Sequence, residues 1–257
     1  MSRFTGTVLI TGASSGIGAA CARAFAAAGA RLILAARREE RLEALAAELK
    51  EAHGTESHLI QLDVRDAGVV AHAFGDLPAD WSAIDVLVNN AGLSRGLEPI
   101  QEGDTRDWDE MVDTNVKGLL YATRAILPGM VERKRGHVIN IGSTAGHEVY
   151  PGGAVYCATK HAVNAINQGL RIDLLGTHVR VTSVDPGMVE TDFSLVRFHG
   201  DRDRADKVYR GLTPLTPDDI ADVVLFAATR PPHVNLDEII LRPTAQATST
   251  MVDRDEF

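Results

Sequence analysis

The stretch TVLITGASSGIGAACARAFAAAG, Thr7 to Gly29, limits the possible folds more than any other part of the chain. An apolar run from Thr7 to Thr11 passes through Gly12, Gly16 and Gly18 into an Ala-rich segment that stops at Gly29. The pattern predicts a buried strand, a tight glycine turn and a helix ended by a left-handed glycine. Glycines at such a turn let backbone approach a pyrophosphate, and the free N–H groups of a helix start favour negative charge. The spacing differs from the common G-x-G-x-x-G, and a plain tight turn would also use glycines. RLILAA, Arg31 to Ala36, then supplies a second strand, and RREERLEALAAELKEAHG a second helix, which completes a βαβ unit.

The end of that second strand bears on which dinucleotide would fit. About 20 residues beyond the glycines an NAD-binding unit carries an acidic residue for the ribose hydroxyls. Here the neighbourhood is Ala36, Arg37 and Arg38. Two arginines suit a 2'-phosphate and so point to NADP; the alternative is a pair of solvated charges answering Glu40 and its helix neighbours. A third strand, SHLIQLDV, ends near Asp63, a position able to meet an adenine and equally typical of a turn or cap.

Further along, IDVLVNNAG (Ile84 to Gly92) reads as a fourth strand running into a polar turn at Asn89 and Asn90, whose amides suit either a brace or a cofactor contact. A long helical region is expected over Thr105 to Arg133. Asn115 lies among its apolar residues, as a buried hydrogen-bonding group or as a kink or water site beside a reaction centre. GHVINIGS forms a fifth strand, VRVTSVDPG a sixth that Pro186 stops, and EIILRP a short last one. Residues 188–215 have no clear period and read as a substrate lid, while TPDDIADVVLFAATR opens with a helix-cap signal. The tail from Thr244 reads as surface or interface.

The chemistry concentrates in STAGHEVYPGGAVYCATK, Ser143 to Lys160. Tyr156 and Lys160 are four apart, hence on one helical face, where an ammonium can favour the phenolate of a tyrosine whose free pKa is about 10. Ser143 ends the fifth strand and can face the same phenol. The three groups suit proton exchange with an alcohol or carbonyl oxygen. Cys157, next to Tyr156, points about 100° away on a helix and reads as a packing residue rather than a nucleophile. Arg197, in DFSLVRFHGD, could bind a carboxylate or sulfonate; pairing with Asp201 or Asp203 at the surface is the alternative. His147 and Glu148 are candidates for the opposite wall, although an ionised Glu148 would repel an anion.

Composition narrows the class. A chain of 257 residues with 45% hydrophobic and 24% charged residues is expected to fold as one soluble domain, 1–257. Its net charge of -9 argues against nucleic acid, no apolar run suits a membrane, and the amino terminus lacks a signal-peptide pattern. Cys21 and Cys157 are too few for a disulfide framework, so a cytoplasmic location is expected. The nine histidines form no HExxH or Cys/His pattern, so no metal site is expected.

TGASSGIG, NNAG, YCATK and DPGMVET together resemble the short-chain dehydrogenase/reductase family, and the resemblance covers nearly the whole chain. Longer stretches, including LVRFHGD and LRPTAQ, resemble its branch of NADP-dependent 3-hydroxy acid and serine dehydrogenases and sulfoacetaldehyde reductase. The resemblance implies a Rossmann-type, doubly wound α/β fold with a seven-stranded parallel sheet, NADP(H)-dependent exchange of an alcohol and a carbonyl, and a homotetramer. It implies a catalytic tetrad of Asn115, Ser143, Tyr156 and Lys160, with Lys160 also on the nicotinamide ribose and Asn115 holding a relay water. Cofactor contacts are implied in the glycine loop at Gly12, Ser14, Ser15, Gly16, Ile17 and Gly18, then at Arg37, Arg38, Asp63 and Val64. Others are implied at Asn89, Ala91 and Gly92, at Tyr156 and Lys160, and at Pro186, Gly187, Val189 and Thr191. A catalytically idle NADPH sensor or scaffold is the alternative, because fold alone does not fix function.

Overall fold

A computed structural model describes residues 3–255. Residues 1, 2, 256 and 257, within the expected domain and tail, lie outside the described residues. The seven apolar runs are strands: β1 (Thr7–Thr11), β2 (Arg31–Ala36), β3 (Ser57–Gln61), β4 (Ile84–Asn89), β5 (Gly136–Ile141), β6 (Val179–Pro186) and β7 (Glu238–Leu241). They form one all-parallel sheet in the order β3-β2-β1-β4-β5-β6-β7. This is the Rossmann-type sheet that the sequence implied.

Helices α1 (Gly16–Ala28), α2 (Glu39–His53), α3 (Ala67–Gly75), α4 (Thr105–Val112), α5 (Leu119–Glu132), α6 (Ala154–Asp173), α7 (Phe193–Arg197), α8 (Arg202–Tyr209) and α9 (Pro217–Ala228) complete the fold. Strand alternation sorts the core into two layers. Val8, Ile10, Leu32, Leu34, Val86 and Val88 pack with α1, α2 and α9. Their neighbours Leu9, Ile33, Ala35 and Leu87 pack with α3 and α5 on the other face. Because both faces are covered, the strands read as unbroken apolar runs. Each fully buried Leu or Ile contributes about 1.5–3 kcal/mol of transfer free energy.

Strand order reverses between β1 and β4, which opens a crevice beyond their carboxyl ends. The expected continuous helix over Thr105 to Arg133 is interrupted by a π-helical turn at Asp113–Gly118. Such turns fit an extra residue into a helix, often at functional sites. Here the turn carries Asn115, 2% exposed, toward the same crevice side as α6. Among the described residues no helix is long and apolar enough to cross a membrane.

Candidate active site

The glycine loop is built for close approach. Gly12 and Gly16 have φ of 66° and 53°, left-handed values that favour glycine. A Cβ on Gly18 would collide with the Gly12 carbonyl, so Gly18 seats α1 against the end of β1 and does not line the crevice itself. The first turn of α1 has no acidic residue and Ser15 makes no cap bond. The Ser15 hydroxyl instead accepts from Arg38 Nη2 at 2.8 Å, and Ser14 Oγ accepts from the same nitrogen at 3.0 Å. Arg38 is thus directed at the loop rather than at Glu40. An uncapped helix start beside a guanidinium is receptive to phosphate.

Asn89 takes the bracing role and not the cofactor contact. Its amide donates to Thr123 Oγ1 at 2.9 Å and Asn140 Oδ1 at 2.8 Å, inside the core. Asn90 occupies the crevice in its place, bonding the Thr11 and Gly12 carbonyls and so tying β4 to the loop. Asp63 lies at the crevice edge with its carboxylate held by Arg65 at 2.6 Å.

At the other end, Ser143 leaves β5 in extended conformation, and its Oγ accepts from Ala145 N at 3.1 Å. That turn places Ser143 on the same cavity wall as Tyr156, where it favours the ionised form of the phenol. Lys160 lies one turn on; its Nζ donates to the Ile141 carbonyl at 2.9 Å and sits 5.9 Å from the Tyr156 ring centre. Asn115 donates to Leu93 O and Thr159 Oγ1 and accepts from Leu93 N. A Cβ on Gly92 would be 3.3 Å from Asn115 Oδ1 and 3.8 Å from Lys160 Nζ, so Gly92 keeps the space between them open.

Burial dominates the electrostatics. It pushes the Tyr156 phenol well above its ordinary range, with Tyr150 adding to the rise, while Arg197 and Ser143 pull it down. Burial also pushes the Lys160 ammonium down to about 8. From sequence the acidifying role was expected of Lys160; in the folded chain the cation that lowers the Tyr156 phenol is Arg197, whose guanidinium lies 5.4 Å from the ring. Cys157 is fully buried and its thiol is pushed up by burial, consistent with packing.

A cavity of about 630 Å³ joins these parts. It runs from Arg37 and Arg38 past the loop, Asp63, Val64, Ala91 and Gly92 to Ser143, Tyr156 and Lys160, then to Pro186, Gly187, Val189 and Thr191. Asn115 stands behind this wall. Helices α7 and α8 cover the opening, where a lid was expected. Helix α7 is tied down by Gly96 N, which donates to Arg197 O (2.9 Å), and by Arg95 Nη1, which donates to Val196 O (2.5 Å). Arg197 turns inward: Nε donates to Ser94 Oγ at 3.1 Å and Nη2 to Tyr150 OH at 2.9 Å. Asp201 caps α8 through Arg204 N, so the surface pairing with Arg197 does not form.

His147 and Glu148 do not line the cavity, contrary to expectation. His147 Nε2 turns to Asp185 Oδ2 at 2.7 Å, and Glu148 is held by Arg242 Nη2 at 2.7 Å and Ser249 N at 2.8 Å. The repulsion expected from Glu148 is therefore neutralised at source. The tail is also more than surface: Gln246 accepts from Met188 N at 2.9 Å, and Ser249, Thr250, Val252 and Arg254 line the cavity. Ser94, Tyr150, Ser249, Thr250, Val252 and Arg254 carried no sequence signal, because their neighbours in space lie far away in the chain, and Gln246 was marked only through the LRPTAQ resemblance.

A family model for short chain dehydrogenases matches residues 6–200. The chain belongs to the short-chain dehydrogenase family. It is 52% identical over 241 residues to the NADP-dependent 3-hydroxy acid dehydrogenase YdfG of Salmonella typhi, covering 93% of this chain and 96% of that one. It is 48% identical over 250 residues to sulfoacetaldehyde reductase 2 of Chromohalobacter salexigens, covering 96% and 98%. The closed form of a serine dehydrogenase complexed with NADP+ matches with a TM-score of 0.90 and 46% identity, over 97% of this chain and all of that one. The short-chain dehydrogenase motifs are those that converge on the cavity.

Proposed function

We propose that the chain, as one domain over 1–257 with a lid at 188–215, is an NADP(H)-dependent oxidoreductase. It interconverts a small polar 3-hydroxy acid, or a related anionic alcohol, with its carbonyl form. One observation carries the reading: Ser143, Tyr156 and Lys160 meet in a cavity that has Arg37 and Arg38 at one end and the inward Arg197 at the other. The residues present fit a dinucleotide with a 2'-phosphate, since the uncapped start of α1 and the loop-directed Arg38 offer donors where phosphates would lie.

When bound, the dinucleotide supplies or accepts the hydride. In reduction, Tyr156 gives its proton to the carbonyl oxygen, and Ser143 donates a hydrogen bond that holds this oxygen in place. Lys160 stabilises the phenolate as it forms and holds the nicotinamide ribose, and Asn115 secures a water for proton return. Cofactor-binding roles are proposed for the cavity-lining positions from Gly12 to Thr191 described above, with Gly18 shaping the loop. Arg197 pairs with the substrate anion; two bonds to hydroxyls leave other guanidinium donors free. The relatives' named substrates, 3-hydroxy acids, serine and sulfoacetaldehyde, set the chemical range.

Cofactor choice is tested by changing Arg37 and Arg38 together to Ala. Charge-assisted hydrogen bonds contribute about 1.5–3 kcal/mol each, so the NADPH-over-NADH ratio of kcat/KM should fall about 10- to 100-fold. An unmodified enzyme that uses both cofactors equally would refute the assignment. Assembly as a homotetramer through the long helices is supported by exposed Val112 on α4, Leu120 on α5 and Ile172 on α6. Sedimentation equilibrium should give four chains per particle, and a monomer would contradict it.

A further inference from the structure

Helix α7, which carries Arg197, has only five residues, FSLVR. So short a helix does not hold itself, and the carbonyls at its end must find partners elsewhere. The loop that follows β4 supplies them through three consecutive residues. Ser94 Oγ accepts from Arg197 Nε at 3.1 Å, Arg95 Nη1 donates to the Val196 carbonyl at 2.5 Å, and Gly96 N donates to the Arg197 carbonyl at 2.9 Å. Val196 O takes one further bond, from His199 N at 3.3 Å, and Tyr150 OH accepts from Arg197 Nη2 at 2.9 Å.

The loop is in turn anchored on two neighbouring residues of α4. Glu110 Oε2 accepts from Arg95 Nε at 2.7 Å, and Met111 Sδ accepts from Arg95 N at 3.4 Å and from Ser94 Oγ at 4.0 Å. Glu110 Oε1 accepts from Arg65 Nη1 at 3.4 Å, so its carboxylate is held from two sides. The Arg95 and Glu110 side chains are 18% and 19% exposed, which spares the pair much of the screening that weakens surface ion pairs. One guanidinium therefore bridges α4 and α7, with Nε on a carboxylate and Nη1 on a main-chain carbonyl, a fork that lysine cannot copy. Arg95 does not line the cavity, whereas Arg197, one residue past the carbonyl that Arg95 holds, does.

We propose that Arg95, braced by Glu110, is a positioning residue that fixes the Arg197 guanidinium in the cavity and so sets the preference for anionic substrates. The proposal rests on the reading that Arg197 pairs with the substrate anion. Arg95 acts through α7 and touches neither substrate nor cofactor. When α7 is released, Arg197 leaves the geometry that an anion requires, and a misplacement of about 1 Å can cost about 100-fold. A neutral substrate does not use the pair and loses little.

The test compares KM for a 3-hydroxy acid and for its amide, with NADP+ saturating, in the wild-type enzyme and in Arg95→Met. The acid-to-amide ratio of KM should rise about 10-fold or more in the variant, while KM for the amide and Kd for NADPH stay within about threefold. Glu110→Ala should raise the ratio by less, because Arg95 keeps its reach to Val196 but loses its brace. An unmoved ratio in Arg95→Met overturns the proposal, and so does an equal rise in KM for acid and amide, which would make Arg95 a plain structural tie. If Arg95→Met does not fold, Glu110→Ala decides, and its unmoved ratio overturns the proposal equally. Arg197→Met separates the two layers. If that variant leaves the ratio unchanged, anion binding by Arg197 fails and the proposal falls with it. If it raises the ratio, adding Arg95→Met should raise it no further, since both changes remove one interaction. A further rise in the double variant would show that Arg95 acts on the anion without Arg197 and would overturn the proposal.

Discussion

Replacing Tyr156 with Phe lowers kcat by about 100- to 10,000-fold, the usual worth of a positioned acid, and leaves NADPH affinity within about threefold. The ring is buried and stacks edge-on against Phe193 at 5.6 Å, and Phe retains that contact. What disappears is the transferable proton, while the ring keeps its packing. The two effects separate cleanly: fluorescence titration with NADPH reads binding, and single-turnover NADPH oxidation reads chemistry. Undiminished single-turnover chemistry would remove Tyr156 from the mechanism.

Arg197→Met raises KM for anionic substrates about 10- to 100-fold and leaves KM for neutral carbonyls within about threefold. The basis is a charge-assisted pair of about 1.5–3 kcal/mol that a neutral substrate never makes. Methionine keeps the length and apolar contact of the side chain, so packing beside Phe193, 5.1 Å away, survives. Ser94 and Tyr150 lose a donor each, but both are hydroxyls able to reorient. Removing the cation also lets burial push the Tyr156 phenol higher, so kcat should fall modestly for every substrate. Steady-state kinetics on matched pairs, a hydroxy acid against its amide, measures both effects. An unchanged KM for both members of the pair would contradict anion binding by Arg197.

The sheet was legible in the sequence because its central strands, β1, β2, β4, β5 and β6, are buried on both faces and read as nearly continuous apolar runs. The glycine loop was legible because turn geometry and close packing leave Gly12 and Gly18 no substitute. For Asn89 the choice between a brace and a cofactor contact follows from strand geometry. Alternation along β4 puts Leu87 and Asn89 on one face, toward α5 and Thr123, and strand period alone would have sent Asn89 inward. Asn115 was recognised as anomalous in a helix, but whether it marked a kink or a plain buried amide depended on Leu93 and Thr159, 22 and 44 residues away. His147 and Glu148 were placed by nearness to Ser143. Their true partners, Asp185 and Arg242, are 38 and 94 residues distant, a pairing that no local pattern encodes. The tail gave no periodicity because its contacts with Met188 and Glu148 are made by individual side chains and backbone groups rather than by a repeating face.

The most direct measurement of the central claim is NADP(H)-linked turnover on a matched panel. It would include 3-hydroxy acids and serine with NADP+, sulfoacetaldehyde with NADPH, and neutral analogues of each, all with and without EDTA. The account predicts turnover that favours the anionic substrates, prefers the phosphorylated cofactor and is unaffected by the chelator. Tight NADPH binding with no turnover across the panel would contradict it and leave a sensor or scaffold in place of an enzyme.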